Sequence, residues 1–268
     1  MRRVQPLDLP GLTKVTVKGE RPVVEWVKPT SLLIDEIYQR DLTERSMRLV
    51  RRMLSNFAWN RMKPPIVARV NGELHVIDGQ HTAITAATLR IPEIPVFVVD
   101  APEIDERARA FVGHNTDRIT VTPINIYRAL LASGDPDATD VANVCRRAGV
   151  TIRQINHGSA VNVGECMAIG SIRGLVRRRG VMTARKILEV LVKAKRAPIA
   201  AAEIAAAESV ICEELPRGGA LDELISIIRI DGDRGFRDAR ARAAQERIPL
   251  WRVLRARWLS RLKRMVPA

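Results

Sequence analysis

The run Ile66-Val67-Ala68-Arg69-Val70-Asn71-Gly72-Glu73-Leu74-His75-Val76-Ile77-Asp78-Gly79-Gln80-His81 decides how the first half of the chain is read. Two β-rich runs, 66–70 and 73–77, flank Asn71-Gly72. Both central residues of a type I′ turn need positive φ, so Asn-Gly predicts a two-residue hairpin. The second strand runs into Asp78-Gly79-Gln80-His81, and Thr82 to Leu89 reads as a short Ala-rich helix able to pack closely on a sheet. Pro95 to Val99 supplies a further strand. Hairpin, glycine turn, helix and strand imply a crossover that lays the helix on the sheet. A strand ending in glycine and opening a helix leaves amide hydrogens pointing outward, where the helix dipole favours an anion. Gly79 allows close backbone approach. His81 could donate to a phosphate or move a proton, since histidine titrates near neutrality. Asp-Gly is also an ordinary turn, and Asp78 could simply cap the helix.

Upstream, Val15–Lys18 and Val23–Val27 read as strands and 42–57 as a helix. Asp41 with Glu44 forms a capping-box-like start. Leu42, Leu49, Val50, Met53, Leu54 and Phe57 form its apolar face; Arg45, Arg48, Arg51 and Arg52 lie mainly opposite, where solvent exposure is the commoner role. From Pro102 onward the pattern is helical: 103–113, 123–132, 140–148, 183–195, 199–215, 221–230, and 236–265 broken at Pro249. A boundary is expected near Ser133-Gly134-Asp135-Pro136, giving units 1–133 and 134–268.

The 268 residues carry a formal charge of +14, with pI near 10.7, which favours a polyanionic partner. Cys145, Cys166 and Cys212 lack zinc-ligand spacing, so no metal site is indicated and reduced thiols are expected. The N-terminus shows no apolar leader and no run is long enough to span a membrane, so a cytoplasmic protein is expected.

Ile77-Asp78-Gly79-Gln80-His81, the Ala-rich helix and Ile94-Pro95-Val96 together resemble the phosphate-binding turn of the ParB/sulfiredoxin superfamily. Tyr38-Gln39-Arg40 stands where such domains carry a similar tripeptide. His114-Asn115-Thr116-Asp117-Arg118, followed by Val121, Pro123 and Ile124, resembles the Glu-Asn-x-x-Arg-x-x-Leu-x-Pro-Ile segment of ParB proteins. The resemblance covers residues 30 to 135, about half the chain. It implies an α+β fold, with a small mixed sheet and packed helices followed by a basic all-α region. It also implies a nucleotide or phosphate pocket drawn from Arg40, Asp78, Gly79, Gln80, His81, Thr82, Asn115 and Arg118, with a nucleoside triphosphate and Mg as the implied ligand.

The chain departs from the pattern at the centre. Gly79-Gln80-His81-Thr82 lacks the Glu and arginines of the Gly-Glu-Arg-Arg-x-Arg turn, and lacks the Cys and Arg of sulfiredoxin's Gly-Cys-His-Arg. Sulfinic-acid repair needs that thiol and is not expected. Neither Thr nor Ile replaces the bidentate charge of arginine, so Arg40 or Arg118 would have to supply it. His114 also replaces the glutamate beside Asn115. If the chain is an enzyme, His81 and Asn115 are the catalytic candidates, for a nucleotide hydrolase, phosphotransferase or nuclease.

In the helical half, Val144, Cys145, Ala148, Gly149, Val150 and Ile155 fit a helix-turn-helix pattern. A recognition helix starting at Thr151 would present Arg153, Gln154, Asn156 and His157 to base edges. A glycine-joined helix pair fits equally. Arg177-Arg178-Arg179, between Gly174 and Gly180, suits phosphate contacts from an exposed turn. At the C-terminus Trp251, Leu254, Trp258 and Leu262 interleave with Arg252, Arg255, Arg257 and Arg261. Such a helix docks on its own core most commonly, grips DNA next, and lies on a membrane least. DNA is the expected partner, through Arg153, Gln154, Asn156, Arg177, Arg178, Arg179, Arg255 and Arg261, with a homodimer among the expected assemblies.

Overall fold

The structure is a computed structural model that describes residues 3–7, 9, 11, 16–37, 39, 42–117, 120–156, 158–215 and 221–265, the last three in backbone only. Arg40, Asp41, Arg118, His157, Tyr38 and Val15 therefore lie outside the described residues, and Thr16–Lys18 form no strand. The fold is α+β, in two compact units, Met1–Ile119 and Thr120–Ala268.

The first unit is built on a five-stranded sheet ordered β1 (Val23–Val27), β5 (Ile94–Val99), β3 (Ile66–Val70), β4 (Glu73–Asp78) and β2 (Leu32–Ile34). The β3–β4 hairpin closes through Asn71 at φ 50° and Gly72 at φ 87°, the two positive values the dipeptide predicts. The helix α2 (Gln80–Thr88) then carries the chain past β3, so that β5 pairs parallel with β3 and antiparallel with β1. Alternation along the strands divides the core between the two sheet faces. Val67, Leu74, Val76, Ile94 and Val96 meet Ala86 of α2 on one face. Ala68 and Ile77 meet Ala110 and Phe111 of α3 (Ile104–Thr116) on the other. The small side chains of α2 let it sit close, and α1 (Glu44–Ser55) packs against it. Thr43 caps α1, accepting from the Ser46 amide at 3.3 Å. The expected Asp41 start is thus displaced by two residues.

The second unit comprises α4 (Pro123–Ala132), α5 (Pro136–Ala148), α6 (Ile169–Lys193), α7 (Ala201–Ser209), α8 (Leu221–Glu246) and α9 (Leu250–Met265). A two-residue parallel ladder joins β6 (Thr151–Ile152) to β7 (Glu165–Cys166). Ile124 and Tyr127 of α4 belong to the same core as α5 and α6, so the units divide before α4 rather than after Ser133. Gly180 (φ 72°, ψ 168°) and Gly232 (φ 49°, ψ −150°) break α6 and α8 into two helical segments each. The fully buried Trp258 and Leu254 dock α9 on this core, the commonest outcome for such a helix.

The helix-turn-helix expectation does not hold. Gly149 ends α5 at φ 74°, and the Val150 amide donates to the Cys145 carbonyl at 2.9 Å, closing the helix end. Beyond Gly149 the backbone is extended: Thr151 N–H donates to Gly164 O (3.0 Å) and Arg153 N–H to Cys166 O (3.1 Å). Val150, Thr151 and Ile152 are β-branched and favour a strand. Thr151 begins no recognition helix.

Candidate anion-binding cleft and basic surfaces

The geometry of the glycine turn explains its sequence. Gly79 has φ 96° and ψ 17°, and a Cβ there would stand 2.8 Å from Pro65 Cα and 3.1 Å from Pro65 Cβ. Conformation and space both demand glycine. Asp78 accepts from the Gly79 amide at 2.9 Å and pairs with Lys63 Nζ at 3.3 Å. It is therefore an acceptor that fixes the turn, not a donor toward an anion. The Thr82 and Ala83 amides both donate to the Gly79 carbonyl, at 2.9 and 3.0 Å, so these two are engaged by the helix itself. Gln80 and Thr82 are buried. Gln39 donates to the Val76 and Ile77 carbonyls at 3.0 and 2.9 Å, which holds this residue against the end of β4.

His81 points the site in a direction the sequence did not. It lines a cleft of about 720 Å³ together with Thr43, Arg45, Ser46, Arg48, Leu49 and Arg52 of the α1 region. Its Nε2 is buried and has no hydrogen-bond partner among the described residues. Arg45, Arg48 and Arg52 follow one another at spacings of three and four, so they share one stripe of α1. Only Arg48 has a carboxylate partner among the described residues, Glu44 at 3.5 Å, and that pair is exposed. Guanidinium groups beside a histidine are chemically able to take a phosphate. The signal was in the sequence as the basic face of 42–57. What was missing was the packing that turns this face toward His81.

A second cavity of about 420 Å³ adjoins through Leu49 and Arg52 and is lined by apolar Met53, Phe57, Ala58 and Met62, with Thr82 at its wall. Asn115 stands elsewhere: its amide donates to the Phe111 carbonyl one turn back on α3, it is exposed, and no residue of α3 lines the His81 cleft. Among the described residues no group of three or more His, Cys, Asp or Glu side chains converges as a metal site.

The arginines expected to meet DNA in the second unit are largely occupied. Arg153 pairs with Glu165 at 2.8 Å and donates to the Ala160 carbonyl, tying the 153–165 loop shut. This hydrogen bond, with others from Asn162, holds the Glu165 carboxyl down at about 2. Arg177–Arg179 lie within α6, not in a turn. Arg177 meets Asp137 at 2.9 Å; Arg178 and Arg179 both grip Glu208, at 2.7 and 2.9 Å. Arg255 pairs with Glu214, and Arg261 with the buried Asp231 at 2.7 Å. Gln154 and Asn156 lie in the loop, where Asn156 O accepts from Ser159 N–H.

No family profile matches the chain, and no curated protein matches it. Solved structures do. The C-terminally truncated chromosome-partitioning protein ParB from Caulobacter crescentus, complexed with CTP-gamma-S, is 12% identical over 70% of this chain and 99% of that one, with a TM-score of 0.39. A Pnob8-like ParB-N domain is 14% identical over 76% of this chain and 84% of that one, with a TM-score of 0.30. No helix among the described residues is long and apolar enough to cross a membrane.

Proposed function

We propose that this chain is a ParB-like, DNA-associated binding protein whose first unit holds a phosphate-bearing ligand in the cleft between α1 and the start of α2. The observation that carries the reading is the cleft that His81 lines together with Arg45, Arg48 and Arg52 of α1. A nucleoside triphosphate fits the chemistry, with phosphates among the arginines and its flat base toward the apolar cavity beyond Leu49 and Arg52. Any magnesium would arrive bound to the phosphates, a common mode for this ion. The +14 charge supports a nucleic-acid partner. An enzymatic reading through His81 and Asn115 is less well supported, because Asn115 is tied to its own helix and α3 is absent from the cleft lining.

Calorimetric titration of the full chain with CTP, ATP and pyrophosphate, with and without magnesium, tests the pocket. A charge-assisted hydrogen bond contributes about 1.5–3 kcal/mol. R45Q with R52Q is therefore expected to weaken binding by at least about tenfold. Absence of heat with all three ligands, or indifference to the substitutions, overturns the pocket.

A further inference from the structure

In the second unit many arginines pair with carboxylates, while Arg128, Arg147 and three successive arginines of α8 do not among the described residues. From Asp231 to the end of α8 every carboxylate is engaged. Asp231 meets Arg257 and Arg261, Asp233 meets Arg196 at 3.0 Å, Asp238 meets Arg257 at 3.9 Å and Glu246 meets Arg242 at 2.7 Å. Arg234, Arg237 and Arg240 are exposed, and none of the three has an ion pair or hydrogen bond among the described residues. Arg247, just past the helix end, is likewise exposed and unpaired among the described residues.

The helix is oriented by its small residues. Gly235, Ala239 and Ala243, spaced by four, are buried on the side packed against α9, and Asp231 covers Gly235 so tightly that a Cβ there would lie 2.6 Å from its Cγ. The opposite arc therefore points outward. There, exposed Ala241 and Ala244 add no bulk between the arginines and an approaching surface.

We infer that this outward arc of α8, with Arg234, Arg237 and Arg240 as its contacts, grips the phosphate backbone of duplex DNA. The inference rests on the DNA-binding part of the proposed function and assigns it a surface. From Arg234 to Arg240 the helix advances about 9 Å, roughly the axial length of three phosphates on one strand. A membrane fits less well, since an interfacial helix must bury apolar side chains in lipid. Between Arg234 and Arg247 the exposed positions hold only Arg, Asp, Ala, Gln and Glu.

The test is fluorescence anisotropy of a labelled duplex, about three helical turns long, with the full chain at several salt concentrations. Removing one phosphate contact lowers the slope of log K against log salt by about 0.9. R234Q/R237Q/R240Q should therefore flatten the slope by about 2.7, while its melting curve stays that of the parent because the three side chains pair with nothing among the described residues. The triple lysine variant should keep the parent slope. R177Q, which removes the exposed pair with Asp137, should keep it too. A parent that binds duplex DNA with a slope unmoved by the glutamine variant overturns this surface and leaves the DNA reading standing. A parent that binds no duplex overturns both, and so does a parent that instead binds vesicles of anionic and zwitterionic phospholipid.

Discussion

Replacing Gly79 by alanine probes the turn on which the cleft depends, and Gly72 provides the reference. Both glycines have positive φ, +96° and +87°, so alanine is strained at either. A left-handed conformation costs an L-residue about 1–2 kcal/mol. Of the two, Gly79 alone has a neighbour in the way. The new methyl would lie 2.8 Å from Pro65 Cα, whereas nothing lies within 4 Å of the corresponding position at Gly72. Pro65 Cα is backbone and has no rotamer to escape into, so overpacking adds about 1–3 kcal/mol. G79A should then cost about 2–5 kcal/mol and G72A about 1–2. The difference isolates the Pro65 contact. Trp26 and Trp59 belong to the first unit and Trp251 and Trp258 to the second, so tryptophan fluorescence mixes the two. Native-state hydrogen exchange of β3 and β4 amides reads the first unit alone. Equal loss of protection in G79A and G72A would refute the steric argument, and with it the need for glycine rather than any residue tolerant of positive φ.

Two further outcomes bear on the second unit. The Glu165 carboxyl is lowered from 4.5 to about 2, chiefly by its hydrogen bond with Arg153. A folded-state value below the unfolded one stabilises above pH 4.5 and loses that stabilisation as pH falls toward 2. E165Q should accordingly show a smaller drop in urea midpoint than the parent between about pH 5 and about pH 2.5, and identical drops would count against the pairing. R196M strands the Glu203 carboxylate, only 2% exposed, without its cation. Breaking a buried pair from one side costs about 3–5 kcal/mol; a urea-unfolding loss below about 1 kcal/mol would place this pair with ordinary surface ones.

The hairpin, the glycine turn and the Ala-rich helix were legible because each rests on local chemistry: Asn71-Gly72 for the turn, Gly79 for the left-handed step, small residues for close packing. α9 was legible from its apolar stripe and Pro249. The first half of α6 was not, because Gly170, Gly174 and Gly180 weaken the helical pattern, and only Gly180 actually breaks the helix. The helix-turn-helix pattern misled for a related reason. Val144, Ala148 and Val150 are buried as that motif would bury them, but within the core they share with α6 and its neighbours, and the chain after Gly149 is drawn into a strand by Gly164 and Cys166.

Sequence alone determined the sheet-and-helix first unit, the helical second unit and the excess of positive charge, since turn chemistry, periodicity and composition act over a few residues. Tertiary structure decided which charges are available. Arg177–Arg179 and Arg255 meet carboxylates that lie 29 to 41 residues away along the chain, and Arg261 is held by Asp231 in the same manner. Arg45, Arg52, Arg234, Arg237 and Arg240 meet none among the described residues.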